Sequence, residues 1–285
     1  SKGVLSYYTG SAYKARIISY SSGTVTAQTA ITISETIKDA IITPAGVPLL
    51  LVEETDGTAS VLPLSVSGNT LTAGTKSNVS GLTNGASHIS WNSAYNKVIV
   101  VDVNSTNMDY SVGTISGTTV SMGSKATAGT TNTYTEVRYH EGSGNYLLAR
   151  TNLSIYEYEL RFRVVSFNGT TFSVGAAEID PNFTTGNSSG SQIYSVGYHL
   201  SKTGEGILVS MSKKTNNTHT QNIGIATLTT SGTFTAVSFN QIASGGGGGG
   251  QVDTKESKNN PNGYALLSYM ANYTFQHPFP TLKGR

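Results

Sequence analysis

Residues 90–126 read SWNSAYNKVIVVDVNSTNMDYSVGTISGTTVSMGSKA, and this stretch holds one complete structural unit. Lys97 to Val103 is an apolar, β-branched run, the pattern of a buried strand. Asn104 to Asn107 is a turn cluster. Tyr110 to Ile115 alternates as a second strand. Ser116-Gly117 supplies a tight turn, where glycine takes the positive φ that a two-residue hairpin needs. Thr119 to Met122 makes a third strand, and Ser87 to Trp91 leads in as a fourth. Four short antiparallel strands in so few residues fit one blade of a radial repeat.

The unit recurs. Hairpin glycines stand at Gly23, Gly68, Gly117, Gly169 and Gly232, spaced by 45, 49, 52 and 63 residues. Each precedes a short alternating strand: TVTA, TLTA, TVSM, TFSV and TFTA. The apolar run recurs independently, as LLLV at 49–52, VIVV at 98–101, YLL at 146–148, ILV at 207–209 and YALL at 264–267. Two signals on one period of this length predict an all-β chain, a β-propeller of about six repeats of short antiparallel strands. The expected organisation is a single propeller domain over 1–285, with repeats near 1–33, 36–80, 85–128, 133–180, 191–243 and 251–280. The first repeat lacks its first strand and the last lacks its fourth. The alternative is a segment of a longer β-repeat protein, and the start at Ser1 without Met reads as processing, trimming or a larger parent.

Composition narrows the function classes. The chain has 285 residues, 12% of them charged, and a net charge of +2. No charge sign dominates, so neither a nucleic-acid groove nor an anionic membrane surface is expected. No run approaches the ~18 apolar residues of a membrane span. There is no cysteine, which excludes disulfides, thiolate metal sites and cysteine nucleophiles. The abundance of Thr, Ser, Asn and Gly accompanies extracellular and virion β-proteins. Gly245 to Gly250 reads as a flexible linker, a polyproline-II-like segment or a crossing between blades.

Catalytic motifs are missing: no P-loop, dinucleotide fingerprint, G-x-S-x-G elbow or H-E-x-x-H occurs. Paired carboxylates for glycoside hydrolysis cannot be located from spacing. Tyr139-His140 and Tyr198-His199 precede the apolar strands of consecutive repeats and read as repeat-consensus packing residues. Asp102, Asn104, Asn107 and Asp109 make an oxygen-rich loop without the Gly and terminal Glu of a calcium-binding hand, so a polar turn is expected. No catalytic residue, metal site or cofactor is expected. Tyrosine, at sixteen residues against one tryptophan, combines an apolar face with a hydroxyl. Tyr7, Tyr8 and Tyr13 flank a turn and are candidate ligand-binding residues. The insertion at 213–221 adds Asn216, Asn217 and His219, because insertions at one corner of a blade collect on a rim, where binding sites sit. Trp91 is expected to pack between blades.

The units TISGTTVSMGS (114–124) and SFNGTTFSVGA (166–176), with NKVIV at 96–100, resemble the repeated units of bacteriophage tail-fibre and other virion fibre proteins, of the form V-x-G-T-I-S-G-T-x-V-x-x-G. The resemblance covers most of 36–243. It implies a non-enzymatic structural or host-receptor-binding protein at the virion surface or outside the cell. Its expected partners are other virion proteins and a host surface glycan or protein receptor, in a homo-oligomeric or multicopy assembly. It assigns no functional residue. Two other readings stay open: a secreted bacterial carbohydrate-binding propeller or adhesin, and a glycan-degrading enzyme on a propeller scaffold.

Overall fold

The computed structural model describes residues 2–82, 86–103, 107–130, 136–140, 143–153, 158–175, 191–200, 206–215, 218–227, 238–246, 251–257 and 260–269, with side chains described only within 2–175. The described residues form strands joined as antiparallel meanders. The first sheet is β1 (Lys2–Tyr8), β2 (Tyr13–Ser21) and β3 (Thr24–Ala27), with β4 (Ile31–Ile33) also on β2. The second is β5 (Thr36–Ile42), β6 (Pro48–Glu53), β7 (Ala59–Ser67) and β8 (Thr70–Ala73), with β9 (Ser77–Asn78) on β7. The third is β10 (Ala86–Asn92), β11 (Lys97–Val103), β12 (Asn107–Ser116) and β13 (Thr119–Met122), with β14 (Ala126–Thr130) on β12.

The fourth sheet runs β15 (Glu136–His140), β16 (Asn145–Leu153), β17 (Tyr158–Phe167), β18 (Phe172–Val174). The fifth runs β19 (Ser191–Leu200), β20 (Gly206–Thr215), β21 (Thr218–Thr227), β22 (Ser238–Gly246), and β23 (Gln251–Ser257) pairs with β24 (Asn260–Tyr269). The start of the glycine run belongs to a strand: Gly245 pairs with His219 and Gly246 with Thr218. The chain divides into two compact units, one of residues 1–132 with 167–173, the other of 133–166 with 174–285.

The apolar runs are continuous because both faces of their strands are covered. In β6, Leu49 and Leu51 pack with Ile89, Val98 and Val100 of the third sheet. The intervening Leu50 and Val52 pack with Ala15, Ile17 and Ile33 of the first. All four β6 residues are 0–1% exposed. A strand of period two thus feeds two cores at once. Trp91 packs, partly buried, against the core between the second and third sheets. In β17, Phe162 and Val165, which lie on opposite faces, are both fully buried.

The outermost strand is broken in two in each of the first three sheets. β3 and β4 both pair with β2, β8 and β9 with β7, and β13 and β14 with β12. The hairpin before each break turns on glycine at positive φ: Gly23 at 83°, Gly68 at 58° and Gly117 at 60°. In the second and third sheets the break itself has a second glycine, and a glycine stands in the same way beside β17 of the fourth. The N–H of Gly74 donates to Pro63 O at 2.8 Å, that of Gly123 to Val112 O at 3.0 Å and that of Gly175 to Val164 O at 2.9 Å. A Cβ at these positions would stand 3.0, 2.9 and 2.8 Å from the same carbonyl oxygens. Gly113 is crowded as well: a Cβ there would meet Met122 Sδ at 2.3 Å. Gly123→Ala is therefore expected to destabilise the fold by about 1–3 kcal/mol, because the obstacle is backbone and cannot rotate away. Urea unfolding of the two proteins checks it.

Candidate functional site

In the first unit, β5 of the second sheet lies against β10 of the third. Each is the first strand of its meander, and each carries a bulge at the matching place. The register of β5 on β6 shifts between Ile37 and Asp39, and that of β10 on β11 between Ala86 and His88. Bulges re-aim the side chains beside them. Here they bring Asp39 and His88 together, with Asp39 Oδ2 2.7 Å from His88 Nδ1.

Asp39 is held on several sides. Its Oδ1 accepts the Ala40 N–H at 2.8 Å, and its Oδ2 accepts the Ile89 N–H at 3.0 Å. Burial pushes the carboxyl up, but the hydrogen bond and charge of His88 and the two backbone N–H groups outweigh it. Asp39 is held below the usual carboxylate range. An ionised carboxylate only accepts, so Nδ1 of His88 carries the proton. In the neutral ring the lone pair then sits on Nε2. No hydrogen bond to Nε2 occurs among the described residues, and the side chain is 14% exposed. A histidine with one nitrogen fixed by a carboxylate and the other left open is built to accept a proton.

The other acidic groups of this unit are accounted for locally. Glu53 pairs with Lys38, while Glu35 and Glu54 share Lys76 at 2.5 and 2.7 Å. Asp56 accepts the N–H and hydroxyl of Thr58 within its own turn. Asp102 and Asp109 lie in strands directly opposite one another across β11 and β12, not in a polar turn. Asp109 accepts Lys125 Nζ at 3.1 Å and Thr127 Oγ1 at 2.6 Å. Asp102 is 7% exposed, and its Oδ1 has no partner. Burial first, then the charge of Asp109, pushes Asp102 above its ordinary value of 3.8. A raised carboxyl costs stability as pH climbs through its folded pKa. Asp102→Asn is therefore expected to raise Tm at pH 7 by about 2–4 °C, for about 1 kcal/mol gained, and to leave it unchanged well below pH 3.8. Thermal unfolding at the two pH values checks it.

Among the residues singled out from the sequence, Tyr7, Tyr8 and Tyr13 lie around the β1–β2 turn, but not on one face. The Tyr8 and Tyr13 rings stand 4.8 Å apart, and Tyr8 donates to Gly10 O at 2.7 Å. Tyr7 instead accepts Arg16 Nη2 at 2.6 Å, with the guanidinium 5.2 Å from its ring centre. Asn216 and Asn217 lie outside the described residues. His219 is in β21, with its side chain outside them. His140 is fully buried, its Nδ1 accepting the Ser143 N–H at 3.2 Å within a turn. The side chain of His199 lies outside the described set. Among the described residues, no group of three or more His, Cys, Asp or Glu side chains could hold a metal ion.

Motif reading passed over Asp39 and His88, because neither belongs to a short motif. A signal was present nonetheless. Asp39 and the amide it binds, that of Ile89, are 50 residues apart, close to one repeat. Complementary polar groups one period apart, on the first strands of neighbouring repeats, are placed side by side by the repeat itself.

No family model matches the chain, and no curated protein does. Solved structures do. A protein from Lactobacillus plantarum is similar over 83% of this chain and 81% of its own, at 12% identity and a TM-score of 0.50. A protein of Bacteroides uniformis, provisionally described as a 6-phosphogluconolactonase, is similar over 90% of this chain and 86% of its own, at 11% identity and a TM-score of 0.42. A polysaccharide lyase, an ulvan lyase, is similar over 85% and 63%, at 10% identity and a TM-score of 0.41. At these identities the likeness is one of fold, and the fold is an all-β propeller.

These comparisons correct two expectations. The chain was expected to be a non-enzymatic virion surface or tail-fibre protein, and not an enzyme. Among the similar structures reported, the descriptions are those of a provisional lactonase and a lyase, and none is of a fibre protein. The fibre-like pattern has a local physical cause. Its glycines at 113, 117 and 123 are the ones that a packed methionine, a tight hairpin and a close carbonyl demand. They report how a blade is built, not the particle that carries it.

Proposed function

We propose that the chain is a carbohydrate-degrading enzyme on a propeller scaffold, in which His88 is the proton-transferring group and Asp39 orients it. The observation that carries this reading is the 2.7 Å contact between Asp39 Oδ2 and His88 Nδ1, with no hydrogen bond to Nε2 among the described residues. In this mechanism Nε2 takes a proton by one of two routes. It comes either from a water molecule, whose oxygen bonds to the anomeric carbon as the glycosidic C–O bond breaks, or from C5 of a uronate, whose electron pair forms the C4=C5 double bond as the C4–O bond breaks. The imidazolium then returns the proton to the departing oxygen. The bond to Asp39 keeps the ring in the productive tautomer and stabilises the imidazolium that forms. The two backbone N–H groups keep Asp39 ionised throughout.

The test is to incubate the purified chain with a panel of neutral and acidic polysaccharides and follow new reducing ends and 235 nm absorbance. Either signal, lost on substitution of His88, supports the reading. Polymer left intact across the panel overturns it.

A further inference from the structure

We propose that the free edge of β1 is an interface between two copies of the chain, at which β1 of the second copy adds antiparallel across a two-fold axis through Leu5.

In the first unit each sheet ends, on the side away from its divided outer strand, in β1, β5 or β10. Two of these three edges are blunted. β5 carries a bulge between Ile37 and Asp39, and β10 one between Ala86 and His88. A bulge twists an edge away from an incoming strand. β1 has none: Lys2 to Tyr8 run in unbroken register against Ser19 to Tyr13 of β2. Its seven residues, KGVLSYY, include no proline and a single charge, that of Lys2. Leu5 is 47% exposed and Tyr8 56%. In the second and third sheets a further strand lies outside the apolar one, β5 on β6 and β10 on β11. Among the described residues β1 has no such neighbour and pairs with β2 alone. A chain that interrupts its other edges and leaves this one straight, apolar and open has kept an edge for pairing.

The occupant that β1 fits is β1 itself. An antiparallel partner centred on Leu5 pairs all seven residues. Leu5 then meets Leu5 of the second copy, Val4 meets Ser6, Gly3 meets Tyr7 and Lys2 meets Tyr8. The contact on the axis is apolar, and no like charges stand opposite each other. The space over Gly3 is open, since a Cβ there would meet nothing within 4 Å. Tyr7 of the second copy is set against that space, the arrangement in which an aromatic residue covers a glycine across a strand pair. Arg16, the cross-strand partner of Leu5, stands three strand spacings from its counterpart. That is about 14 Å, beyond the ~8 Å over which charges are felt at physiological salt.

The test uses the full chain in sedimentation velocity and in disulfide trapping. The chain has no cysteine, so an introduced one can bond only to its counterpart in another copy. Leu5→Cys stands on the axis, where directly opposed residues have Cα atoms about 4.5–5.5 Å apart, within disulfide reach. Val25→Cys, on β3 and more exposed at 65%, is the control. Three results are expected. The unmodified chain sediments as a dimer. Leu5→Cys forms covalent dimer at least about tenfold faster than Val25→Cys. Leu5→Lys, which sets two ammonium groups on the axis, raises the dimer dissociation constant at least about tenfold. A single species of the chain's own mass at every concentration overturns the proposal. So does a dimer indifferent to Leu5→Lys, or equal trapping at the two cysteines. Should Leu5→Lys fail to fold, its circular dichroism spectrum shows it, and the comparison of the two cysteines decides alone.

Discussion

His88→Asn is expected to lower turnover of the carbohydrate substrate by about 10²–10⁴-fold with little change in KM, the range for loss of a positioned acid–base group. The argument is geometric. Asn keeps a polar group beside Asp39, so the contact between β5 and β10 is disturbed little. It provides no nitrogen that can take a proton. Asp39→Asn should fall in the same direction for a different reason. A neutral amide can donate to Nδ1 and turn the ring into the wrong tautomer, with the lone pair facing inwards. The double variant should lose little more than either single one, because the two groups act as a unit. Steady-state kinetics on the three proteins decides it. Equal turnover in wild type and His88→Asn would remove His88 from the chemistry and leave the pair as a pin between sheets. The pair also sets an acid limit. Asp39 has a folded pKa below its ordinary 3.8, so the unfolded chain binds its proton more readily. The stability it contributes is complete above that value and is lost as pH falls through the lowered one.

Leu51→Ala is expected to destabilise the protein by about 2–5 kcal/mol, the range for a buried leucine truncated in a packed core. Leu51 is fully buried, on the face of β6 that meets Ile89, Val98 and Val100. Those three residues belong to the two strands that carry or follow His88. A cavity at Leu51 thus loosens the seat of the site as well as the fold. Asp39 is the cross-strand partner of Leu51 itself. Leu50→Ala, next in the chain, should cost a similar amount, because it opens the other core, against Ala15 and Ile17. It should spare kcat, since that core does not touch the pair. Denaturation curves and kinetics on both variants separate the two effects.

Much of the fold was legible because its signals are local. A hairpin glycine must stand where φ is positive, and Gly23, Gly68 and Gly117 do so at the turns their spacing marked. The apolar runs were legible because a strand covered on both faces has no polar side to show. The interrupted outer strand was less so, since Gly74 and Gly123 look like any loop glycine until the carbonyl across from them is in place. The site was harder still. Tyr7 and Tyr8 are neighbours in sequence and opposites in space, because successive strand residues alternate faces. Asp102 and Asp109 look like loop ligands in the sequence and turn out to face each other across two strands. Asp39 and His88 belong to different repeats, and only the stacking of those repeats puts a carboxylate beside an imidazole.

The divided outer strands carry a consequence for how this molecule behaves in a crowd. A β-sheet edge with a long row of free amides and carbonyls invites another chain to extend it, and uncontrolled addition ends in fibrils. In the first three sheets that row is cut into pieces of two to five residues. At each cut the ladder steps past a glycine or, in the first sheet, past Gln28. Along these outer edges an incoming strand finds no uninterrupted template of useful length. A chain so rich in threonine and so poor in charge has little electrostatic repulsion to keep copies apart. At these edges backbone geometry raises the barrier to strand addition that charge does not.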